Sequence, residues 1–218
     1  MQPLRLQWVI GLVAVTTLAP TAAAAATAMK AAMPEQASVS EAPRFQGPDW
    51  DGTRIVRLQP SGFPGLPGSL VRRLENLGCT VPQSYEPSKV PQNVIRGSFR
   101  RPGQHDWAVL CSRRGVSAIL VFWNGSPDSW SELAPHPDTN FLQVTGRDAA
   151  GHDIVGYSRL LGVAGRHTIL DCNAANGTPL PIPLSALDHQ GIDDAYAGKA
   201  SEIHYLRRGR WLELPGSD

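Results

Sequence analysis

The chain has 218 residues, with 20 Lys and Arg against 19 Asp and Glu. This balance argues against a dedicated nucleic-acid surface, which usually shows as a strongly basic domain, so we expect no nucleic-acid partner. The 21 glycines and 19 prolines fall below the share typical of low-complexity disorder and separate apolar runs, as in a turn-rich β protein.

The N-terminal stretch has the pattern of a cleaved secretory signal peptide. Arg5 supplies a positive n-region, an apolar run extends from Trp8 to Leu18, and small residues follow Pro20. The run is shorter than the roughly 20 residues that span a bilayer; the alternative is an uncleaved anchor. We expect residues 1–26 to be a signal peptide and the protein to be exported, periplasmic or extracellular, with no stable membrane span after cleavage.

Segment 27–48 is rich in Ala, Ser, Pro and Gln without any period, which predicts a flexible leader. Residues 49–218 are then expected to form a single mostly β domain. Its first predicted strand is TRIVRLQ, from Thr53 to Gln59.

A short helix is predicted after the loop that follows this strand. Leu70, Leu74 and Leu77 recur at helical spacing. Ser69 is expected to cap the start of the helix, and Gly78 to end it in a left-handed conformation.

From Asn93 onward the apolar residues alternate with a period of two, which predicts strands. The predicted strands are NVIRGSF, DWAVLCS, SAILVFW, NFLQVTG, DIVGYSRLL, HTILDC, SEIHYL and RWLEL. A second short helix is predicted within LSALDHQGIDDAYAG, residues 184–198. The fold class is therefore mostly β, either all-β or α+β, with an antiparallel sheet built of blade-like hairpins and one or two short helices.

One hairpin pattern occurs twice, in residues 115–133 and 199–214. Each copy predicts a strand, a Gly turn and a returning strand that opens with Trp. The matched pairs are Ser117 with Ser201, Ile119 with Ile203, Val121 with Tyr205, Gly125 with Gly209, Trp130 with Trp211, Glu132 with Glu213 and Leu133 with Leu214. The two tryptophans are expected to cover the hairpin ends as core residues; the alternative is a face that binds a glycan or peptide.

The segment from Gly97 to Leu110 resembles one blade hairpin of the FG-GAP or VCBS class, the integrin-type propeller repeats. Gly97, Phe99, Gly103 and Asp106, followed by an apolar strand, carry the resemblance. It implies blade-like hairpins, although about 190 residues are too few for most propellers of 4–8 blades.

The same loop departs from the repeat pattern, which carries an acidic calcium loop. Arg100 and Arg101 stand there instead, and two arginines would repel a cation. We therefore expect no metal and no cofactor. The chain also resembles uncharacterised bacterial secreted proteins with GC-x-(V/I)-PQ and DWAVLCS segments, matched at 78–83 and 106–112, a resemblance that implies no known activity.

The adjacent pair His105 and Asp106 is a candidate for chemistry. Neighbouring residues of a strand point to opposite faces, so the two cannot easily form a His–carboxylate pair. We expect Asp106 to bind the turn backbone at the strand entry and His105 to be exposed.

The densest titratable cluster is DHQGIDDA, where His189 stands near Asp193 and Asp194. These three residues are the catalytic candidates for a small secreted hydrolase; the alternative is a helix–turn segment with solvated acids. No G-x-S-x-G, P-loop, dinucleotide or H-E-x-x-H motif occurs in the sequence, and no two histidines have such metal spacing. The arginine pairs at 72–73, 100–101, 113–114 and 207–208 are interpreted as solvated rims.

Three cysteines allow three pairings, and an oxidising compartment favours one disulfide. The pairing Cys79–Cys111 would attach the helix end to the central sheet. Cys172, next to the loop signal NAANG, would then be the odd thiol; the alternative is three free cysteines. The function predicted overall is an exported binding or structural module with a protein or glycan ligand, and the alternative is the hydrolase.

Overall fold

The computed structural model describes residues 55–177 and 179–217, which lie within one compact unit. The predicted signal peptide and leader, 1–26 and 27–48, lie outside the described residues. In the described ranges, none of the helices combines the length and apolarity needed to cross a membrane.

The described residues form twelve strands and two α-helices. The strands are β1 (Arg57–Leu58), β2 (Val81–Pro82), β3 (Val94–Gly97), β4 (Asp106–Arg113), β5 (Val116–Phe122), β6 (Trp130–Pro137), β7 (Leu142–Arg147), β8 (Asp153–Tyr157), β9 (Arg159–Ala164), β10 (Gly191–Tyr196), β11 (Ala200–Arg207) and β12 (Arg210–Pro215). The helices are α1 (Gly68–Asn76) and α2 (Arg166–Asn176). The predicted mostly β class is confirmed.

All four sheets are antiparallel. Two sheets have four strands each: the first sheet has the order β3–β4–β5–β6 and the second has the order β12–β11–β10–β9. The pairs β1–β2 and β7–β8 form two small ribbons.

The first sheet is buried on both faces because its central strands are apolar at almost every position. On β4, Leu110 packs into a central core that also holds Leu161 and Ile192 of the second sheet. Its neighbour Val109 points the other way and packs with Leu74 of α1. Continuous apolar runs in β4 and β5 therefore correspond to a sheet covered on both faces.

The second sheet is covered in the same manner. Leu161 and Ile192 face the central core, whereas Ala164 and Ile203 face Ile169 of α2 in a third cluster. The layers therefore run α1, first sheet, second sheet, α2.

Helix α1 lies where it is predicted, but its start differs. Gly78 has φ +71°, and the N–H of Cys79 donates to the Leu74 carbonyl at 3.0 Å, so glycine ends the helix as predicted. The prediction that Ser69 caps it is wrong. The helix begins at Gly68, and the Pro67 carbonyl accepts its first hydrogen bonds. Proline is tolerated at the start of a helix because a backbone N–H there would have no intrahelical acceptor.

The predicted strand HTILDC is wrong, because these residues belong to α2. The helix ends at Gly177, which has φ +65°. A six-residue stretch of mixed polar and apolar residues shows too little periodicity to separate strand from helix. Here Ile169 packs on the outer face of the second sheet.

The predicted helix in 184–198 is also largely wrong. A short 3-10 turn covers Leu184–Ala186, and Gly191–Tyr196 form β10, which pairs with both β9 and β11. Two adjacent acids suggested a solvated turn. Asp194 instead lies inside the sheet, where the Arg159 side chain donates two hydrogen bonds to its carboxylate.

One long predicted strand, DIVGYSRLL, divides into β8 and β9 at Ser158. This serine is buried, and its N–H and Oγ both donate to the Phe141 carbonyl, at 2.8 and 2.6 Å. The chain passes there from a ribbon to the second sheet. The strand predicted from Thr53 is reduced within the described residues to Arg57–Leu58.

The predicted disulfide Cys79–Cys111 is confirmed, with the two Cα atoms 5.2 Å apart. It joins the end of α1 to the centre of the first sheet. Cys172 is a free thiol, as expected for the odd cysteine, but it lies in α2 and not in a loop.

The repeated pattern forms two β-hairpins, as predicted. In the first hairpin, β5–β6, Ile119 pairs with Leu133. In the second hairpin, β11–β12, the matched residues Ile203 and Leu214 pair in the same way. Gly125 and Gly209 both have positive φ at the turns.

Candidate functional site

Asp106 organises the loop before β4, as predicted. Its carboxylate accepts hydrogen bonds from the backbone N–H of Phe99 at 2.9 Å, from the backbone N–H of Asn124 at 2.8 Å and from the Gln104 side chain at 2.6 Å. Asp106 is buried and His105 is exposed. The carboxylate therefore fastens loop 99–104 to the turn of the first hairpin.

The second His–Asp pair has a different role. Asp153 is exposed and pairs with Arg147 at 3.1 Å, and His152 pairs with Asp148 at 3.2 Å. Both are surface ion pairs of small energetic weight.

A cleft of about 470 Å³ opens where loop 99–104 meets the turns of the two hairpins. We call it the tryptophan–arginine cleft. Its lining residues are Arg100, Arg101, Trp123, Ser131, Glu132, Leu206, Arg208, Gly209 and Trp211.

The aromatic part of the cleft comes from both hairpins. The rings of Trp123 and Trp211 stack with centroids 5.9 Å apart and planes 21° apart. The Arg100 guanidinium stands 5.7 Å from the Trp123 ring centroid. Both indoles are half-buried, so each anchors the hairpin end and still contributes surface to the cleft.

Trp130, the sequence match of Trp211, lies elsewhere. Its ring packs 6.2 Å from Phe122 and belongs to the cluster under α1, with Arg73 5.7 Å above it. The expected role as a hairpin-end core residue describes Trp130 well and Trp211 in part.

The cleft is positively charged. Arg100, Arg101 and Arg208 are exposed, and Glu132 is the one carboxylate among the lining residues that the structure describes. Nη2 of Arg113 donates to both carboxylate oxygens of Glu132, at 2.9 and 2.8 Å. Arginines interpreted as scattered rims are thus brought together by the fold, because loop 99–104 and the β11–β12 turn meet.

The sequence candidate His189 is held by backbone groups. Its two ring nitrogens lie 2.9 Å from the Gln190 carbonyl oxygen and 2.8 Å from the Leu206 carbonyl oxygen. The ring stacks on Tyr205 with centroids 4.2 Å apart. This histidine fastens the segment before β10 to β11.

Asp193 and Asp194 point to opposite faces of β10. Asp194 forms a bidentate pair with Arg159, at 2.7 and 2.9 Å. Burial would raise the pKa of Asp194, but hydrogen bonds from Arg159 and His204 hold it below the ordinary value. Burial raises the pKa of Asp193, whose Oδ1 is buried with no hydrogen-bond partner among the described residues. The structure does not bring His189, Asp193 and Asp194 together.

Arg159 is fully buried and crosses between the sheets. Beyond Asp194, it donates to the Ser117 carbonyl at 2.9 Å, to Ser117 Oγ at 3.2 Å and to the Ala134 carbonyl at 2.8 Å. The β5–β6 register shifts between Ser117 and Ile119, so the guanidinium binds carbonyls next to this bulge. Its many partners and lack of exposure indicate a structural cross-link.

A further cluster is absent from the sequence-based candidates. Glu202, His204 and Glu213 offer ligand atoms that all lie within 4.8 Å of one another. Histidine-pair spacing does not reveal them because only one histidine takes part. The detectable signal was Glu-x-His on a strand, with a glutamate opposite the histidine once the Arg208–Gly209 turn sets the hairpin register.

Comparison of the chain with known proteins finds no matching family model, no matching curated protein and no matching solved structure. Function is therefore inferred from the chemistry of the sites alone.

Proposed function

We propose that the protein is an exported binding module and that the tryptophan–arginine cleft binds an acidic glycan. The observation that carries the proposal is the convergence of three arginines and two tryptophans from three separate segments. The N-terminal signal pattern supports export.

The residue types of the cleft suit a sugar chain that carries carboxylates. Indole rings such as Trp123 and Trp211 offer rigid apolar faces at small entropic cost, and these faces suit the apolar side of a pyranose ring. Arginine binds carboxylates in a planar, bidentate manner. Arg100, Arg101 and Arg208 place such groups around the indoles.

The same residues favour binding over catalysis. Glu132 is the carboxylate of the cleft, and Arg113 already holds both of its oxygens. A glycosidase ordinarily needs two carboxyl groups on either side of the scissile bond, and the described lining residues offer one. The loop that resembles the propeller repeats contributes arginines to this surface in place of an acidic calcium loop.

The proposal can be tested with two ligands, one with ionised carboxylates and one with the same carboxyl groups esterified. An oligogalacturonate and its methyl ester share the same sugar backbone, and binding is followed by tryptophan fluorescence at low and moderate salt. We expect the acid to bind at least about tenfold more tightly than the ester, since a charge-assisted hydrogen bond contributes about 1.5–3 kcal/mol.

Variants locate the site. The double variant Arg100→Gln/Arg101→Gln and the variant Arg208→Gln should each weaken binding of the acid about tenfold or more, and binding of the ester much less. Arg72→Gln, on the exposed side of α1, is the matched control and should leave binding unchanged. Equal affinity for acid and ester, or equal loss in Arg72→Gln, would contradict the proposal; selective binding of an acidic peptide instead would reassign the ligand class.

A further inference from the structure

The polar cluster on the second hairpin arises directly from strand geometry. Glu202 and His204 are two apart on β11 and so share a face. Glu213 lies directly opposite His204 on β12. We call Glu202, His204 and Glu213 the Glu–His–Glu cluster; its ligand atoms lie within 4.8 Å of one another.

The charges of this cluster are unbalanced among the described residues. His204 is 2 % exposed, and its Nε2 lies 3.4 Å from Asp194. Within the described ranges, neither Glu202 nor Glu213 forms a hydrogen bond or an ion pair through its carboxylate.

We propose that the Glu–His–Glu cluster binds a divalent transition-metal ion of the zinc class. One imidazole and two carboxylates are ligands that zinc accepts. The imidazole disfavours calcium and magnesium, which prefer oxygen ligands alone. A bound dication would also neutralise the two adjacent carboxylates. The proposal stands on other residues than the tryptophan–arginine cleft and is independent of the glycan.

The surroundings of His204 match a metal-binding histidine. Such a ring is commonly oriented by a carboxylate on its other side. Asp194 lies 3.4 Å from Nε2 of His204, which leaves Nδ1 as the nitrogen that would bind the metal, and Asp194 is itself fixed by the buried Arg159 at 2.7 Å. The two glutamates are exposed, so an ion can enter from solvent. Three protein ligands leave a coordination position for water or another ligand.

The test measures zinc on the full chain in a Cys172→Ser background, which removes the free thiol. Protein stripped with a chelator is equilibrated with zinc chloride, and bound metal is measured by mass spectrometry and calorimetry. We expect one zinc per chain. Glu202→Gln and Glu213→Gln should each weaken zinc binding at least about tenfold, since loss of a ligand removes both a bond and a charge.

Two controls separate this site from surface binding. Glu132→Gln changes the matching residue of the first hairpin and should leave zinc affinity unchanged. His152→Ala/His167→Ala removes the exposed histidines paired with Asp148 and Asp171 and should also keep the single zinc. Unchanged zinc affinity in both glutamate variants, loss of zinc in the exposed-histidine variant, or equal binding of magnesium would each overturn the proposal.

His204→Gln adds a second measurement. It removes the nitrogen ligand and should abolish zinc binding. Because His204 is buried, its folding is checked by circular dichroism; the exposed glutamate variants decide the question if the histidine variant unfolds. Cobalt added in place of zinc should show visible absorption bands in the wild type that are lost in Glu213→Gln, and bands that persist there would count against the site.

Discussion

The two hairpins carry the same sequence pattern and turn opposite faces to the interior of the molecule. In the first hairpin, Ile119 and Leu133 point into the central core between the sheets. In the second, the matched Ile203 and Leu214 point away from it, toward α2. The alternation of apolar and polar residues predicts that one face of a hairpin is apolar, but it does not predict which layer of the protein covers that face.

Because the two hairpins bury opposite faces, the remaining face of each hairpin has different surroundings. In the first hairpin that face holds Leu120, which packs under α1 and pairs across the strands with Glu132. In the second hairpin the corresponding pair is His204 with Glu213, on the side of the first sheet. Two exchanges, Ala118 for Glu202 and Leu120 for His204, thus separate a packing surface from the Glu–His–Glu cluster.

The largest effect is expected from Arg159, which links the first hairpin to Asp194 beside the second. Arg159→Leu should lower the free energy of unfolding by about 3–5 kcal/mol, because it leaves Asp194 buried without its partner. Urea unfolding measures the change. Arg113→Leu breaks only the half-exposed pair with Glu132 and should cost about 1 kcal/mol or less; similar losses in the two variants would show that the cross-link is unimportant.

The helices on the two outer faces differ in how they are attached. The Cys79–Cys111 bridge closes a separation of 32 residues beside the first hairpin. Replacing both cysteines by alanine should cost about 3–4 kcal/mol in the chain-entropy model. Cys172→Ser on α2, beside the second hairpin, should change stability by about 0.5 kcal/mol or less. Thermal or urea unfolding of the three proteins tests this; an equal effect of both changes would contradict the difference.

Exchanging the distinguishing residues tests the comparison directly. Leu120→His places an imidazole among apolar side chains under α1 and should cost about 2–4 kcal/mol. His204→Leu makes the second hairpin resemble the first and should cost about 1 kcal/mol or less, because Arg159 still pairs with Asp194. Unfolding in urea gives both values. A larger loss of stability in His204→Leu than in Leu120→His would contradict the expected difference between the hairpins.

The smallest effect concerns Asp193, whose pKa shifts in the direction opposite to that of its neighbour Asp194. The pKa of Asp193 is raised in the fold, so its ionisation lowers stability above that raised pKa and has no effect below the unfolded value of about 3.9. Asp193→Asn should therefore stabilise the protein by about 1 kcal/mol or less near pH 7, with no gain near pH 3.

Asp194 provides the contrast in the same measurement. Its pKa is lowered, so its contribution is present above about pH 3.9 and is lost as the pH falls through the folded value. Asp194→Asn should destabilise the protein near pH 7, and less so in acid. Thermal midpoints between pH 3 and 8 check both variants; a destabilised Asp193→Asn at neutral pH would contradict the expected direction.

Several local features were predictable because short-range physics decides them. Gly78 ends α1 because a left-handed residue is cheapest at glycine. Asp106 binds turn amides because a carboxylate at a strand entry meets free N–H groups. The Cys79–Cys111 bridge was one of three possible pairings, and the predicted positions of one helix end and one strand favoured it.

The errors arose where neighbours in space overrule local preference. HTILDC has apolar and β-branched residues typical of strands, yet Ile169 is buried by placing a helix on the second sheet. The acids of β10 suggested a solvated turn, and only Arg159, 35 residues away from Asp194, makes a strand acceptable there.

The sequence by itself determined the mostly β class, the two hairpins and the structural role of Asp106, since each depends on periodicity, turn residues or nearby backbone groups. Only the tertiary structure decided which face of each hairpin is buried, and so which side chains meet. Arg100 and Arg208 share a cleft, and Glu213 lies opposite His204, because sheet packing joins distant segments. Alternation along a strand shows which residues share a face, and the layer that packs against the strand decides which face is buried.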